Sequence, residues 1–168
     1  MSWKRPNVKH RMEPLLAYLP SENCDVLLDM ASGDGIFAEI LNNLYPDAFI
    51  LRSDIRLAKN PQNFILHDIN YPPFRAKSLD GIILAQVLHY FSKSDRHTVL
   101  DNIVKILGYP GRWVLIIEYE EKKPQYWLPF PVTVDEIEHL VEDSKLSQIK
   151  IIRIPDYNRP KFSCLITK

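Results

Sequence analysis

The sequence predicts a three-layer α/β domain, in which a mainly parallel β-sheet lies between two layers of helices. Short apolar runs that end in acidic residues alternate with amphipathic helical patterns along the chain. The first of these runs is followed at once by a glycine-containing turn and a helical pattern. The last two strand patterns are joined by a short turn, residues 155–160, which predicts a C-terminal antiparallel hairpin.

Size and composition predict one domain over residues 1–168, with a helical segment at 1–22 and no separate substrate domain. The chain has 168 residues and 46% hydrophobic content, which is enough for one complete core. Its 21 basic and 21 acidic side chains balance, so no global charge draws it to nucleic acid or to an anionic membrane. A modest basic cluster nevertheless keeps an RNA substrate open: Lys4, Arg5, Lys9, His10 and Arg11.

The cysteine count and the apolar runs bear on location. Cys24 and Cys164 have no metal-ligand spacing, so we expect no metal site and a reducing, cytoplasmic setting. The N-terminus does not read as a signal peptide, and no apolar run is long enough to span a bilayer. We therefore expect no membrane association.

The first strand, turn and helix form the segment most indicative of ligand binding. Val26 to Asp29 is a continuous apolar run ending in an acid, residues 31–35 form a small-residue loop, and Ile36 to Leu44 has helical periodicity. Gly33 and Gly35 suit such a loop, because glycine tolerates positive φ and has no Cβ to obstruct a ligand. This arrangement predicts a site for a nucleotide-like ligand.

Two ligand classes are compatible with this loop. By letter count, residues 33–38 fit the fingerprint of dinucleotide-binding proteins, with Asp54 downstream as a ribose acceptor, and this keeps an NAD-linked enzyme open. Asp29 and Asp34, however, place two carboxylates at the turn, where they would repel a pyrophosphate. A ligand that carries an amine and a sulfonium, such as S-adenosylmethionine, is better matched.

The remaining patterns predict the order of strands and helices. We expect an N-terminal helix over residues 8–19, a helix from Ser94, its N-cap, to Leu107, and a last helix from Thr133 to Leu146 that opens with a Thr133–Glu136 capping box. The later strands are predicted at Phe49–Asp54, Asn63–His67, Leu79–Ala85, Arg112–Glu118, Gln148–Ile154 and Lys161–Thr167.

Two segments resemble a known family. The loop Asp29-x-Ala31-x-Gly33-x-Gly35 resembles the first motif of class I S-adenosylmethionine-dependent methyltransferases, D/E-x-G-x-G-x-G. The stretch D-I-N-Y-P-P-F from Asp68 is similar to the segment after the third strand in the small-molecule group of that family. The resemblance implies the Rossmann-like methyltransferase fold, a seven-stranded, mostly parallel sheet with a C-terminal antiparallel hairpin, and S-adenosyl-L-methionine as cofactor. Ala31 departs from the motif, which usually has glycine at this position.

The resemblance also implies roles for individual residues. Asp54 would accept hydrogen bonds from the ribose hydroxyls, Asp68 would accept one from the adenine amino group, and the backbone of Ile69 would meet the ring edge. The backbone at Ala85 and Gln86 would approach the methionine amino group. The complete implied cofactor set is Asp29, Ala31, Ser32, Gly33, Gly35, Asp54, Ile55, Asp68, Ile69, Ala85 and Gln86.

Candidate catalytic residues follow the fourth strand. The resemblance implies that His89 and Tyr90 lie near the transferring methyl group. Histidine titrates near neutral pH, so His89 is a candidate general base, and it is equally a candidate polar cap for the next segment.

The aromatic segment at residues 118–132 has two open interpretations. Its aromatic side chains either enclose a substrate or cofactor, or they cover the core, and if exposed they suit a homodimer or protein-partner surface. The leading functional hypothesis is methyl transfer to an organic small molecule. The alternatives are a non-catalytic or partner-dependent methyltransferase-fold module, and an RNA or protein methyltransferase.

Overall fold

The computed structural model describes residues 13–59, 62–108, 112–144, 146, 148–154 and 159–167. These residues form three α-helices, two short 3₁₀ helices and one seven-stranded sheet. The strands are β1 Val26–Met30, β2 Phe49–Asp54, β3 Phe64–Leu66, β4 Gly81–Ala85, β5 Trp113–Tyr119, β6 Gln148–Ile154 and β7 Lys161–Thr167. The helices are α1 Ile36–Leu44, α2 Lys93–Ile106 and α3 Val134–Glu142, and the 3₁₀ helices are Glu13–Leu16 and Leu88–Tyr90.

The sheet has the order β3-β2-β1-β4-β5-β7-β6. The first five strands pair in parallel, whereas β7 runs antiparallel to both β5 and β6. The carboxyl ends of β1 to β5 therefore meet at one edge, together with the beginning of β7. The predicted fold class, including the C-terminal antiparallel hairpin, is confirmed.

Alternating residues of the central strands divide the core into two layers. Leu27, Ile83 and Leu115 pack with α1 and the first 3₁₀ helix, whereas Leu28 and Ile82 pack with α2 and α3. Because successive side chains of a strand point to opposite faces, continuous apolar runs are required where helices cover both faces. Within the described residues, no helix is both long and apolar enough to cross a bilayer.

Several element boundaries differ from the predictions. The N-terminal helix is a single 3₁₀ turn at Glu13–Leu16 in the described part, and residues 8–12 and the basic cluster lie outside it. Strand β4 begins at Gly81, two residues later than predicted, because a β-bridge joins Leu79 to Leu107 instead.

The N-cap of α2 is Ser92, and the prediction of Ser94 was wrong. The Ser92 hydroxyl accepts from the Asp95 N–H at 3.4 Å and donates to the Asp95 carboxylate at 2.6 Å. An acid three residues after a serine is the pattern of a helix start, which Ser94 lacks.

The last helix is shorter than predicted and ends at Glu142. Thr133 caps it as expected, since its hydroxyl accepts from the Glu136 N–H at 3.2 Å. The Glu136 carboxylate, however, pairs with Arg96 on α2. The capping interaction is therefore one-sided, because the buried arginine is the stronger partner for this carboxylate.

Candidate functional site

A cavity of about 830 Å³ opens at the edge of the sheet where the parallel strands end. Its wall is built from the residues that follow β1, β2, β3 and β4, from the end of β5 and from the start of β7. Ligands of open α/β sheets bind at this edge, because the loops after the strands diverge there. The volume lies within the range expected of a small-molecule site.

Most of the predicted site residues line this cavity. They are Ala31, Ser32, Gly33, Asp54, Ile55, Asp68, Ile69, Ala85, Gln86 and Tyr90. Further residues in the wall were not singled out by the sequence, and they include Met30, Ser53, Arg56, His67, Val87, Phe91, Arg159 and Lys161. Asp29, Gly35 and His89 do not line the cavity.

Asp54 ties together the loops after β1 and β2. Its Oδ2 accepts from the Gly33 N–H at 2.9 Å, and its Oδ1 accepts from the Arg56 N–H at 2.9 Å. The side chain is 8% exposed and borders the cavity. Since each carboxylate oxygen can accept two hydrogen bonds, capacity remains for hydroxyl groups of a ligand.

Asp29 lies beneath the glycine loop instead of in the cavity wall. Its Oδ2 accepts from the Ala38 N–H at 2.9 Å, which fixes the start of α1, and its Oδ1 has no hydrogen-bond partner among the described residues. Burial raises the pKa of this carboxyl to about 7, against the opposing effects of the Ala38 N–H and of Arg52. Asp29 is therefore a buried acid that is partly protonated near neutral pH.

The loop after β1 has an unusual backbone. Ala31, Gly33 and Gly35 have φ values of 59°, 52° and 81°, all in the left-handed region. A Cβ on Gly33 would meet nothing within 4 Å, whereas one on Gly35 would lie 2.5 Å from the guanidinium carbon of Arg52. Gly33 thus leaves open space at the wall. The contact at Gly35 is with the movable end of the Arg52 side chain, so the φ of 81° is the stronger reason for glycine there.

The loop after β3 carries an acid and a histidine. The Asp68 Oδ1 accepts from both the backbone N–H and the side-chain amide of Asn70, each at 2.9 Å. The His67 Nδ1 lies 2.7 Å from the Asp68 carbonyl oxygen, so Nδ1 carries the proton. Its Nε2 is buried and finds no partner among the described residues.

His89 is turned away from the cavity. It is 2% exposed, and its Nδ1 lies 2.8 Å from Oε2 of Glu118, which is 1% exposed. The other oxygen of Glu118 accepts from the backbone N–H of Leu88 at 2.7 Å. The sequence singled out His89 but not its carboxylate partner, and the signal for Glu118 is its position at the end of β5, where an acid interrupts an apolar run.

One end of the cavity is aromatic. Tyr90, Phe91 and Tyr119 line it, and the Tyr119 hydroxyl donates to the Gln86 side-chain oxygen at 2.9 Å. Gln86, whose side chain accepts this hydrogen bond, has a left-handed backbone with a φ of 57°. Trp127 meets the Tyr119 ring edge-on, with ring centroids 5.1 Å apart.

The aromatic segment divides between the two predicted roles. Leu128 is fully buried and belongs to the core side, whereas Tyr119 borders the cavity. Tyr126 is 98% exposed, and Phe130 is partly exposed. The covering role is therefore confirmed for Leu128, and the enclosing role stays a prediction for Tyr119.

Comparisons with known proteins agree with this geometry. Residues 28–115, just over half of the 168 residues, match the family model described as a methyltransferase domain. Over 96 residues the chain is 35% identical to methyltransferase str2 of Strobilurus tenacellus, an alignment that covers 54% of this chain and 34% of the relative. The chain thus spans only about a third of the length of that curated relative.

Solved structures share the fold over almost the whole chain. A SAM-dependent methyltransferase from Archaeoglobus fulgidus superposes with a TM-score of 0.75 at 14% identity, covering 96% of this chain and 93% of that one. The 1,6-didemethyltoxoflavin-N1-methyltransferase of Burkholderia thailandensis, with bound 1,6-didemethyltoxoflavin and S-adenosylhomocysteine, superposes with a TM-score of 0.78 at 17% identity, covering 97% and 79%. At these identities the likeness establishes the fold.

Proposed function

The chain belongs to the methyltransferase domain family, and from that membership we propose that it transfers a methyl group from S-adenosylmethionine to an organic small molecule. The observation that carries the proposal is the cavity of about 830 Å³ at the carboxyl ends of β1 to β4. The acid after β2, the acid after β3 and the left-handed loop after β1 all stand in its wall.

The residues of the cavity fit this cofactor. The hydroxyl oxygens of Ser32 and Ser53 are buried in the wall without a partner among the described residues, and buried polar groups of this kind favour a ligand that bonds to them. In the part of the wall that follows β1, β2 and β3, Arg56 is outnumbered by three acids, Asp34, Asp54 and Asp68, and this excess favours a cationic ligand over a pyrophosphate. This charge distribution supports S-adenosylmethionine over NAD.

We assign the binding roles by position. Asp54 would hold the ribose hydroxyls, Asp68 and the backbone of Ile69 would hold the adenine ring, and the loop at residues 31–33 would pass beside the methionine portion. The backbone of Ala85 and Gln86 would take the amino group. Asp29 supports this loop from below through its bond to the Ala38 N–H.

The chain contributes positioning and exclusion of water. When bound, S-adenosylmethionine supplies a methyl carbon that the sulfonium already activates. Tyr90, Phe91 and Tyr119 would orient the acceptor and keep water from it, which is the main contribution required for an in-line displacement. His89 takes a positioning role in this proposal, since its bond to Glu118 holds the 3₁₀ helix that presents Tyr90.

The first experiment is calorimetric titration of the 168-residue chain with S-adenosylmethionine, S-adenosylhomocysteine and NAD. We expect micromolar binding of the first two and none of NAD. Binding of NAD alone would contradict the proposal. Binding of none would favour the non-catalytic, partner-dependent module, for which the strained backbone of Ala31 is the supporting observation.

Asp54→Ala tests the cofactor site directly. We expect it to weaken S-adenosylhomocysteine binding by about 1–3 kcal/mol, because hydrogen bonds to a buried carboxylate are lost. Calorimetry measures the change, and circular dichroism verifies that the variant is folded. Asp101→Ala, an exposed acid on α2, is the matched control and should bind as the wild type does. Unchanged affinity in Asp54→Ala would remove Asp54 from the site.

A further inference from the structure

Two cations reach the cavity from the last strand. Lys161 begins β7 and pairs in register with Tyr119 at the end of β5, and Arg159 lies two residues before it. Because β7 runs antiparallel to β5, its first residues stand beside the carboxyl end of β5, and both cations border the cavity. Strand pairing thus brings together Tyr119 and Lys161, which are about 40 residues apart in the sequence.

The charges of the cavity wall are unevenly distributed. On the half of the sheet proposed to hold the cofactor, Arg56 is accompanied by three acids, Asp34, Asp54 and Asp68, at the ends of β1, β2 and β3. Arg159 and Lys161 stand at the opposite half, beside the aromatic residues of the acceptor end. Since a cavity with low-dielectric walls focuses such a field, the acceptor end favours an anionic group.

The nearest acid on β5 does not neutralise the cavity wall. Glu118 is buried and does not line the cavity. Its two oxygens are bonded to His89 and to backbone N–H groups of the second 3₁₀ helix. This carboxylate is therefore committed to the protein interior.

Aromatic rings hold both cations in place. The Arg159 guanidinium lies 4.4 Å from the centre of the Trp127 ring, and the Lys161 Nζ lies 5.3 Å from the centre of the Tyr119 ring. The Lys161 Nζ also donates to the Arg159 carbonyl oxygen at 3.1 Å. A guanidinium stacked on a ring keeps its N–H donors in its own plane, a geometry that matches the two oxygens of a carboxylate.

We propose that the methyl acceptor is a planar aromatic compound that carries a carboxylate, with Arg159 and Lys161 binding the carboxylate and Tyr90, Phe91 and Tyr119 enclosing the ring. This inference rests on the proposed methyltransferase function and names its substrate class. The carboxylate would determine which acceptors bind, since it attracts the two cations and an isosteric neutral compound does not.

Ligand titrations with a matched pair of probes test the proposal. The 168-residue chain is saturated with S-adenosylhomocysteine and titrated with 4-hydroxybenzoate and with 4-hydroxybenzamide, while NMR spectra of the protein record binding. We expect the acid to bind at least about tenfold more tightly than the amide, the range of one charge-assisted hydrogen bond. Equal binding of the two probes, or binding of neither, would overturn the proposal.

Substitutions of the two cations then test which residues cause the preference for the acid over the amide. Arg159→Gln should reduce affinity for the acid about tenfold and leave affinity for the amide unchanged, and Arg159→Lys should retain part of the preference. Lys161→Gln should act in the same direction. Arg153→Gln is the matched control, because Arg153 lies on the neighbouring β6, pairs with Glu120 and does not line the cavity. Full retention of the acid preference in both Arg159→Gln and Lys161→Gln would contradict the assignment.

The same samples distinguish a failure of the proposed function from a failure of the acceptor assignment. If S-adenosylhomocysteine fails to bind the wild-type chain, the proposed function itself fails. A second outcome is that S-adenosylhomocysteine binds the wild type, Arg159→Gln and Arg153→Gln with equal affinity, but the wild type shows no preference between the two probes. In that case only the acceptor assignment fails.

Discussion

Two non-glycine residues in the cavity wall have a left-handed backbone conformation. Ala31 follows β1 and Gln86 follows β4, and both line the cavity with φ near +60°. These strands are neighbours in the sheet, so the two residues lie close together at the cavity, whereas Asn63 and Lys77, which also have positive φ, lie outside its wall. Strained backbone at such a position is retained where the surrounding structure holds it, and this occurs preferentially at ligand sites.

Ala31→Gly should stabilise the protein. Glycine removes a left-handed penalty of roughly 1–2 kcal/mol but increases the entropy of the unfolded chain, so we expect a net gain of about 0.5–1 kcal/mol in the free energy of unfolding. Urea denaturation measures it. Ala38→Gly in α1 is the control with the opposite sign, because glycine destabilises a helix interior. A loss of stability in Ala31→Gly would show that its backbone is not strained.

The raised pKa of Asp29 implies that the stability of the protein depends on pH. The carboxyl has a pKa of about 7 in the folded state and its ordinary value of 3.8 in the unfolded state. The folded state therefore binds the proton more tightly, and the stability that Asp29 contributes is complete below pH 3.8 and is lost as pH rises through about 7.

Asp29→Asn removes this titration. Between pH 4 and pH 8 the wild type should lose on the order of 4 kcal/mol of unfolding free energy relative to Asp29→Asn, because one pKa unit corresponds to about 1.4 kcal/mol. Urea denaturation of both proteins across this range gives the difference. Asp47→Asn, at an exposed acid, should leave the pH profile of the wild type unchanged. A constant difference between wild type and Asp29→Asn would contradict the raised pKa.

At the scale of elements, a single buried side chain joins segments that are distant in sequence. Arg96 of α2 is 1% exposed, and its Nε donates to the Leu88 carbonyl oxygen at 3.1 Å. Its other nitrogens bond the Glu136 carboxylate of α3 and the carbonyl oxygen of Phe130. Arg96 thus links the second 3₁₀ helix, the end of the aromatic segment and the last helix.

Arg96→Met should be strongly destabilising. The substitution removes the donor of the Glu136 carboxylate and of the Phe130 and Pro131 carbonyl oxygens, and breaking a buried ion pair costs about 3–5 kcal/mol. Thermal and urea unfolding measure the loss. Lys105→Met, at an exposed position of the same helix, should change stability by less than about 0.5 kcal/mol. A small effect of Arg96→Met would show that the network is dispensable for folding.

The helices show which features a local sequence pattern predicts and which it misses. The apolar stripe of α2 predicts its extent to within one residue at each end, because burial against the sheet imposes helical periodicity. Its N-cap was misplaced by two residues, since three nearby polar residues compete for the position. The Glu136 carboxylate was expected to cap its own helix, and a distant arginine that no local pattern indicates takes it instead.

At the scale of the whole molecule, the sheet order assembles the site. Five parallel strands bring their carboxyl ends to one edge, which places the residues after β1, β2, β3 and β4 around one cavity. The antiparallel β7 brings its first residues to the same edge. The wall therefore combines acids from the first half of the chain with two cations from its C-terminal hairpin.

Local sequence patterns were sufficient to predict the fold class and most of the cavity wall after β1, β2 and β3, because strand periodicity, the glycine loop and the strand-end acids Asp54 and Asp68 are local features. The direction in which individual side chains face was set by the tertiary structure. It placed Asp29 beneath the loop, turned His89 toward Glu118 and brought Arg159 and Lys161 to the cavity. These outcomes depend on the packing of segments far apart in sequence, and no local pattern encodes that packing.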